Sequence, residues 1–459
     1  MEGRRCDECV RFDETLGDFY LSEKMFEVCL AELREKAAVF EKTQTVHVLD
    51  AELTVVKSDS MVPPGLQQAL LSAVRPLEDV AENQKDWHPG SENQVLGLVH
   101  PSLFPLSYGL SKVLPTKKTS WGNESGLWRR PFLSGATLSW FHKRTRINVG
   151  GTGADDYEIP DGLIYDGPDY IIGIDESDDE WDERLESLEN SDDYREWKEQ
   201  HQVLIQREPD DYAPFDKTVP EGHGHIDLRT RFAEPGLQVI FKLASIHLTP
   251  DKPNYEGGTW HVEGALNEHI CATALYYYDQ DNITDSYLSF RQEYDIEEFV
   301  MRPEQHNFRS CEEYYGISQD GSPMKELRRV LTKTGRLLTF PNVLQHKVSG
   351  FELADPTKPG HRKILAMFLV DPHIPVISTA NVPPQDRRWW AEELRHTPDQ
   401  RLSRLPKELF DVITNGVEDF PISWDQAVDI RARLMAERGA IQDSVEEAMD
   451  SNTFGFCEH

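Results

Sequence analysis

Hydrophobic positions change period twice along this chain. Phe26, Cys29, Leu30 and Leu33 recur at helical spacing behind Ser22, which can cap a helix whose first turn carries Glu23. A second helical run spans Leu66 to Val80 through Leu70, Leu71 and Val74. From Trp87 to Tyr108 the pattern breaks, and Pro89, Pro101 and Pro105 suit loops or edge strands rather than a regular element. After residue 236 the period shortens to two. The run LQVIFKLASIHL at 237–248 is β-branched and partly alternating, and Pro250, Asp251, Lys252 and Pro253 close it as a turn. Further strands are expected at 259–263, 269–278, 287–292, 337–340, 346–351 and 362–370. Beyond Pro375 helical spacing returns: Asp386 heads the short run RRWWAEEL, and Ser423-Trp-Asp-Gln426 forms a capping box ahead of Ala427, Ile430, Leu434 and Met435.

Many short strands joined by turns, with no helices alternating between them, argue against a parallel α/β sheet. They point to a mainly β core, a barrel or double-sheet jelly roll, with flanking N- and C-terminal helices. Four regions are expected to form one compact catalytic unit: a helical and loop-rich part at 1–110, an irregular part at 111–235, the strand-rich core at 236–375, and C-terminal helices at 376–459. The irregular part holds a dense acidic run at 175–193, read as an exposed helix or surface insertion because its like charges need solvent. A calcium site is the sharper alternative, but the run lacks the spacing and central glycine of an EF-hand loop.

Composition narrows the partners. A net charge of -33 over 459 residues repels phosphate backbones and anionic membrane, so nucleic acid and membrane are not expected partners. The charged start MEGRRCDECVRF lacks the apolar segment of a secretory signal, and no apolar stretch reaches membrane-spanning length; a soluble, cytoplasmic location is expected. Six cysteines are sparse and show no disulfide framework. Cys6 and Cys9 form C-x-x-C without a second half at zinc-finger spacing.

Candidate chemistry gathers in the strand-rich part. In GGTWHVEG, His261 and Glu263 stand at i and i+2, so a strand would project both to one face and onto one metal. The run GRLLTFPNVLQHKV brings a second histidine, His346. Two histidines and a carboxylate on one side of a coordination sphere leave open positions, as a non-haem Fe(II) oxygenase requires. Arg362, at the head of the run HRKILAMFLVD, offers a fork of donors for the far carboxylate of 2-oxoglutarate; a structural salt bridge to Asp355 or Asp371 is the competing reading. Val343 and Gln345, just before His346, and Arg291 are candidates to shape the substrate position. His247 and His269 are read as packing residues rather than ligands.

The runs LQVIFKLASIHLTPDKPNYEGGTWHVEGALNEHICATALYYYDQDNIT, GRLLTFPNVLQHKVSGFELADPTKPGHRKILAMFLVDP, DWHPGSENQVLGLVHPSLFPL and PPQDRRWW resemble the fungal family DUF4246 over most of the chain. The resemblance implies a double-stranded β-helix, cupin-like, of the 2-oxoglutarate oxygenase kind, wrapped in family-specific helices. It implies His261, Glu263 and His346 as catalytic metal ligands and Arg362 as the 2-oxoglutarate anchor, with Fe(II), 2-oxoglutarate and O2 as cofactor and co-substrates. Two positions depart from the wider oxygenase pattern. Glu263 stands where most such enzymes carry Asp, and Ile364 where a Ser often accompanies the arginine, so Tyr276, Tyr278 or Asn267 would have to help hold the co-substrate. Relatives of this kind oxidise free amino acids in secondary metabolism, including closure of valine-like substrates to aziridines. A small-molecule substrate such as an amino acid, hydroxylated, desaturated or cyclised, is therefore expected. Two other readings stay open: a cupin-like metal protein without 2-oxoglutarate chemistry, and a protein hydroxylase whose acidic run recruits a basic partner.

Overall fold

The computed structural model describes residues 23–49, 55–107, 109–113, 227–294, 315–379, 381–383, 385–397, 401–418 and 421–455, with isolated positions between 157 and 212 and at 308, 311 and 312. In chain order the elements begin with α1 (Glu23–Thr43), β1 (Val46–Val48), β2 (Val55–Ser58), α2 (Pro64–Glu78), β3 (Asp86–Trp87) and β4 (Val95–Val99). A two-stranded antiparallel pair, β5 (Tyr157–Glu158) and β6 (Val203–Leu204), follows. The central strands are β7 (Val239–Leu248), β8 (Asn254–Gly257), β9 (Ile270–Asp281), β10 (Ser286–Glu293), β11 (Met324–Thr332), β12 (Leu337–Pro341), β13 (Gln345–Glu352) and β14 (Gly360–Val370). The last helices are α3 (Arg387–His396), α4 (Lys407–Asn415) and α5 (Trp424–Ser451).

The strands form an eight-stranded sheet in the order β1-β2-β12-β9-β14-β7-β4-β3 and a four-stranded sheet in the order β11-β10-β13-β8, with antiparallel neighbours throughout. Strand alternation decides what lies between them. Leu275 and Tyr277 of β9, Leu338 and Phe340 of β12, and Ala366 and Phe368 of β14 meet Leu288 and Phe290 of β10 and Leu327 and Val330 of β11 in one buried cluster. Full burial of each large apolar side chain there stabilises the fold by roughly 1.5–3 kcal/mol. On the other face of the large sheet, Val74, Leu70 and Leu71 of α2 cover Tyr276 and Tyr278.

Mainly antiparallel β structure with helices at both ends therefore agrees with the sequence pattern. Three departures have physical causes. Strand β11 reads as charged and irregular, because a register shift opposite Phe290 and Arg291, with Arg328 at φ 107°, spaces its buried Leu327 and Val330 three apart. Strands β1 and β2 are too short to show alternation, yet they extend the large sheet at one edge while β3 and β4 extend the other. The stretch 259–263 is not a continuous strand: β8 ends at Gly257, whose φ of 97° sits where an added Cβ would lie 2.6 Å from the Val348 carbonyl oxygen. The capping box holds, with the Gln426 N–H donating to Ser423 Oγ at 3.3 Å and Ser423 N–H to Gln426 Oε1 at 2.8 Å. Ser22, the Cys6–Cys9 motif and the acidic run 175–193 lie outside the described residues. Among the described residues no helix is long and apolar enough to cross a membrane.

Candidate metal centre

After the turn at Gly257 the chain touches β13 once more, at a single antiparallel bridge between His261 and His346. Each residue donates its N–H to the other's carbonyl, at 3.2 and 3.0 Å. Residues paired in this way project to the same face, so backbone register brings two imidazoles 85 positions apart in the chain to a ring separation of 4.4 Å. Glu263 follows two residues later. Asn342, in the turn before β13, grips its backbone from both sides: the Glu263 N–H donates to Asn342 Oδ1 at 2.9 Å, and Asn342 Nδ2 donates to the Glu263 carbonyl at 2.8 Å. The same Nδ2 also reaches the Ile270 carbonyl at 3.1 Å, tying the turn to β9.

The three side chains converge. Glu263 Oε1 lies 3.5 Å from His346 Nε2 and 3.9 Å from His261 Nε2, and one ligand atom from each residue falls within 4.8 Å of the others. Bonds of about 2.0–2.2 Å to one ion would place adjacent donors about 3 Å apart, so the set fits a metal after small inward movement. Burial would raise the Glu263 carboxyl, but the hydrogen bond and charges of His346 and His261 overcome it and hold the group at about 2. Burial, then the neighbouring His346, depresses His261, which keeps its imidazole neutral and able to ligate near pH 7. His261 Nδ1 faces the Thr259 carbonyl at 2.9 Å, which orients Nε2 toward Glu263. His346 Nδ1 is buried without a hydrogen-bond partner among the described residues, and the ring is held instead by packing 4.8 Å from Phe340 and 6.5 Å from Phe290.

Deeper between the sheets, Arg362 is fully buried. Its Nη1 donates to Ser286 Oγ at 2.7 Å and more weakly to Thr332 Oγ1 at 3.4 Å, while Nε and Nη2 have no acceptor among the described residues. The guanidinium stacks 4.7 Å from the Phe351 ring and 5.5 Å from Tyr277. Asp355 pairs with Lys358 and Asp371 with His373, so neither carboxylate meets Arg362. Burial pushes the Tyr277 phenol up to about 12, leaving a neutral hydroxyl that also lacks a partner among the described residues.

Several residues singled out from the sequence lie elsewhere. Tyr276 and Tyr278 face α2 on the outside of the large sheet; alternation sends Tyr277 inward. Asn267 is exposed on a short 3-10 turn. Gln345 accepts from Arg291 Nε at 2.6 Å, and Arg291 and Lys347 flank the Trp260 ring, so Gln345 and Arg291 occupy the strand face opposite His346. Val343 is 39% exposed at the tip of the turn. His247 packs edge-on to Trp87, and His269 ends the 3-10 turn at φ 51°. The sequence did not single out Asn342, Ser286 or Thr332, and of the tyrosine run 276–278, expected to send one face toward the metal, it favoured the outer two over Tyr277. Lys242 shares the face of β7 that carries Ile240 and Ile246, a charged residue on an apolar stripe, and that pattern was available in the sequence.

The family described as "Protein of unknown function (DUF4246)" matches residues 23–131 and 136–393. No curated protein matches the chain. Among solved structures, the Fe(II)/(alpha)ketoglutarate-dependent dioxygenase TqaL is 18% identical over 36% of this chain, with a TM-score of 0.20. A bsmA homolog from Methylobium petroleophilum PM1 is 12% identical over 29%, with a TM-score of 0.18. EvdO2 from Micromonospora carbonacea var. aurantiaca complexed with 2-oxoglutarate is 9% identical over 41%, with a TM-score of 0.16. The matched regions span 41%, 53% and 64% of the bsmA homolog, TqaL and EvdO2 chains respectively. Such partial likenesses carry no chemistry to this chain.

Proposed function

The chain belongs to the DUF4246 family, and on that premise we propose that it is an iron(II)- and 2-oxoglutarate-dependent oxygenase acting on a small organic substrate. One observation carries the reading: a fully buried guanidinium with two unmatched donors shares the inter-sheet space of a His-Glu-His cluster. A buried, unpaired arginine is costly to keep, whereas a bidentate carboxylate would satisfy its free edge. The strand orders β7-β14-β9-β12 and β8-β13-β10-β11 support reading the core as a double-stranded β-helix.

In this reading His261, Glu263 and His346 hold the ion and leave one side of it open. Arg362 anchors the far carboxylate of the co-substrate, Ser286 and Thr332 fix the guanidinium, and the neutral Tyr277 hydroxyl is a further donor to that carboxylate. Phe290, Phe340 and Phe351 exclude water along the path between them. When bound, iron(II) with 2-oxoglutarate and O2 supplies a two-electron oxidation coupled to decarboxylation of the co-substrate to succinate. Small amino acids such as valine are the first substrates to test, with hydroxylation, desaturation and ring closure as the possible outcomes. Protein reconstituted with Fe(II) should form succinate from 2-oxoglutarate only when oxygen is present, faster with one member of an amino-acid panel. No iron-dependent succinate under any of these conditions would remove the proposal.

A further inference from the structure

Resting on that reading, we propose that Lys242 is the substrate anchor, and that the substrate is a small molecule bearing a carboxylate. Strand β7 pairs with β14 without a break in register, and Lys242 lies opposite Ala366, a residue of the inter-sheet core. Its neighbours on the same face are Ile240, packed against that core, and, beyond Ala244, Ile246, which packs with Leu248, Phe351 and Leu353. The odd-numbered positions go the other way: Leu243 lies under α2 and Ser245 reaches Glu78. Lys242 therefore stands on the inter-sheet face of β7, half-buried.

The ammonium group has no ion pair or hydrogen bond among the described residues. Ala366, the partner of Lys242 across the strands, shares one buried cluster with Phe290 and Phe340, whose rings pack against His346, and the lysine charge bears on Glu263 and His261 from that direction. Other cations on this side are already matched: Arg431 of α5 pairs with Asp86, and Arg438 pairs with Glu268 at 2.6 Å. Charge balance then states what is missing. A divalent ion, Lys242 and Arg362 outweigh Glu263 by three positive charges, and the 2-oxoglutarate dianion removes two. One positive charge is left over, on the side where the half-buried Lys242 stands. A substrate carboxylate neutralises it. The position on β7, four residues along from the Ile246 level that pairs with Arg362, separates this anchor from the co-substrate anchor.

The test uses the full chain loaded with Fe(II) and 2-oxoglutarate without oxygen, in native, Lys242→Met and Lys242→Arg forms. Binding of both loads is measured first, then calorimetric binding of the standard L-amino acids and of their carboxamides. Native protein should bind at least one amino acid about tenfold or more tighter than its amide, the scale of a charge-assisted hydrogen bond. Lys242→Met should bind acid and amide alike, Lys242→Arg should keep most of the preference, and 2-oxoglutarate affinity should stay unchanged in both. A native protein without acid preference, or a Lys242→Met variant that retains it, overturns the assignment. Loss of 2-oxoglutarate affinity in Lys242→Met also overturns it, because the lysine would then hold the co-substrate. Failure of the native protein to take up Fe(II) and 2-oxoglutarate overturns the oxygenase reading as well, and shows before any amino acid is added.

Discussion

The two ends of the inter-sheet space are built on opposite principles. At the metal end, position comes from the backbone: a bridge that exchanges two hydrogen bonds sets His261 against His346, and Asn342 grips both backbone groups of Glu263. At the arginine end, a fully buried cation rests on two hydroxyls and two aromatic faces, with two of its three nitrogens unmatched among the described residues. The first arrangement is fixed by backbone hydrogen bonds that no ligand side chain supplies, so losing one side chain there should remove the metal and spare the fold. The second leaves a cost that only a ligand offsets, so its loss should remove the ligand and relieve the protein.

The sharpest break of that contrast is His346→Ala, expected to abolish iron uptake and oxygen-dependent succinate formation while far-ultraviolet circular dichroism stays native. Arg362→Leu comes next. It should weaken 2-oxoglutarate binding about a hundredfold, as for loss of a charged bidentate contact, with the thermal midpoint held or raised. A lower midpoint with normal 2-oxoglutarate affinity would make the arginine structural. Asn342→Ala should lower iron affinity about tenfold, the usual scale for a group that orients a ligand, read by competition with a chelator.

The smallest effect is expected far from both ends, at Asp59, where buried Arg336 donates from Nε and Nη2 at 2.7 and 2.8 Å. The Arg336 hydrogen bonds, with help from Lys333, outweigh burial and hold the Asp59 carboxyl well below its ordinary value. A depressed folded pKa stabilises the protein above the unfolded value near 4, and that stability is lost as pH falls through the folded one. Because Asp59 is partly exposed, solvent screening leaves about 1 kcal/mol or less. Urea unfolding of native and Asp59→Asn protein should differ by that much at pH 7 and converge at strongly acidic pH.

The strand-rich core and the helical ends were legible because period and caps are local properties, as Ser423 with Gln426 and the alternating β7 and β14 show. The pairing of His261 with Glu263 was legible too, although a single bridge and the Asn342 clamp, not the expected strand, set their positions. What alternation alone could not supply is which face points inward. It groups Tyr276 with Tyr278 against Tyr277, but only the packing of α2 decides that the middle tyrosine meets Arg362. Non-local pairing was equally hidden: Gln345 next to His346 looked like a residue of the site, yet the neighbouring strand gives it Arg291 on the outer face. Asn342 gave no signal because its role is to hold a backbone 79 residues away.

Anaerobic titration of Fe(II)-loaded protein with 2-oxoglutarate, followed by visible absorption, tests the central claim most directly. A metal-to-ligand charge-transfer band should grow to saturation in native protein, be absent in His346→Ala, and need far more 2-oxoglutarate in Arg362→Leu. A native protein that binds no iron, or that binds iron and develops no band at any 2-oxoglutarate concentration, would contradict it.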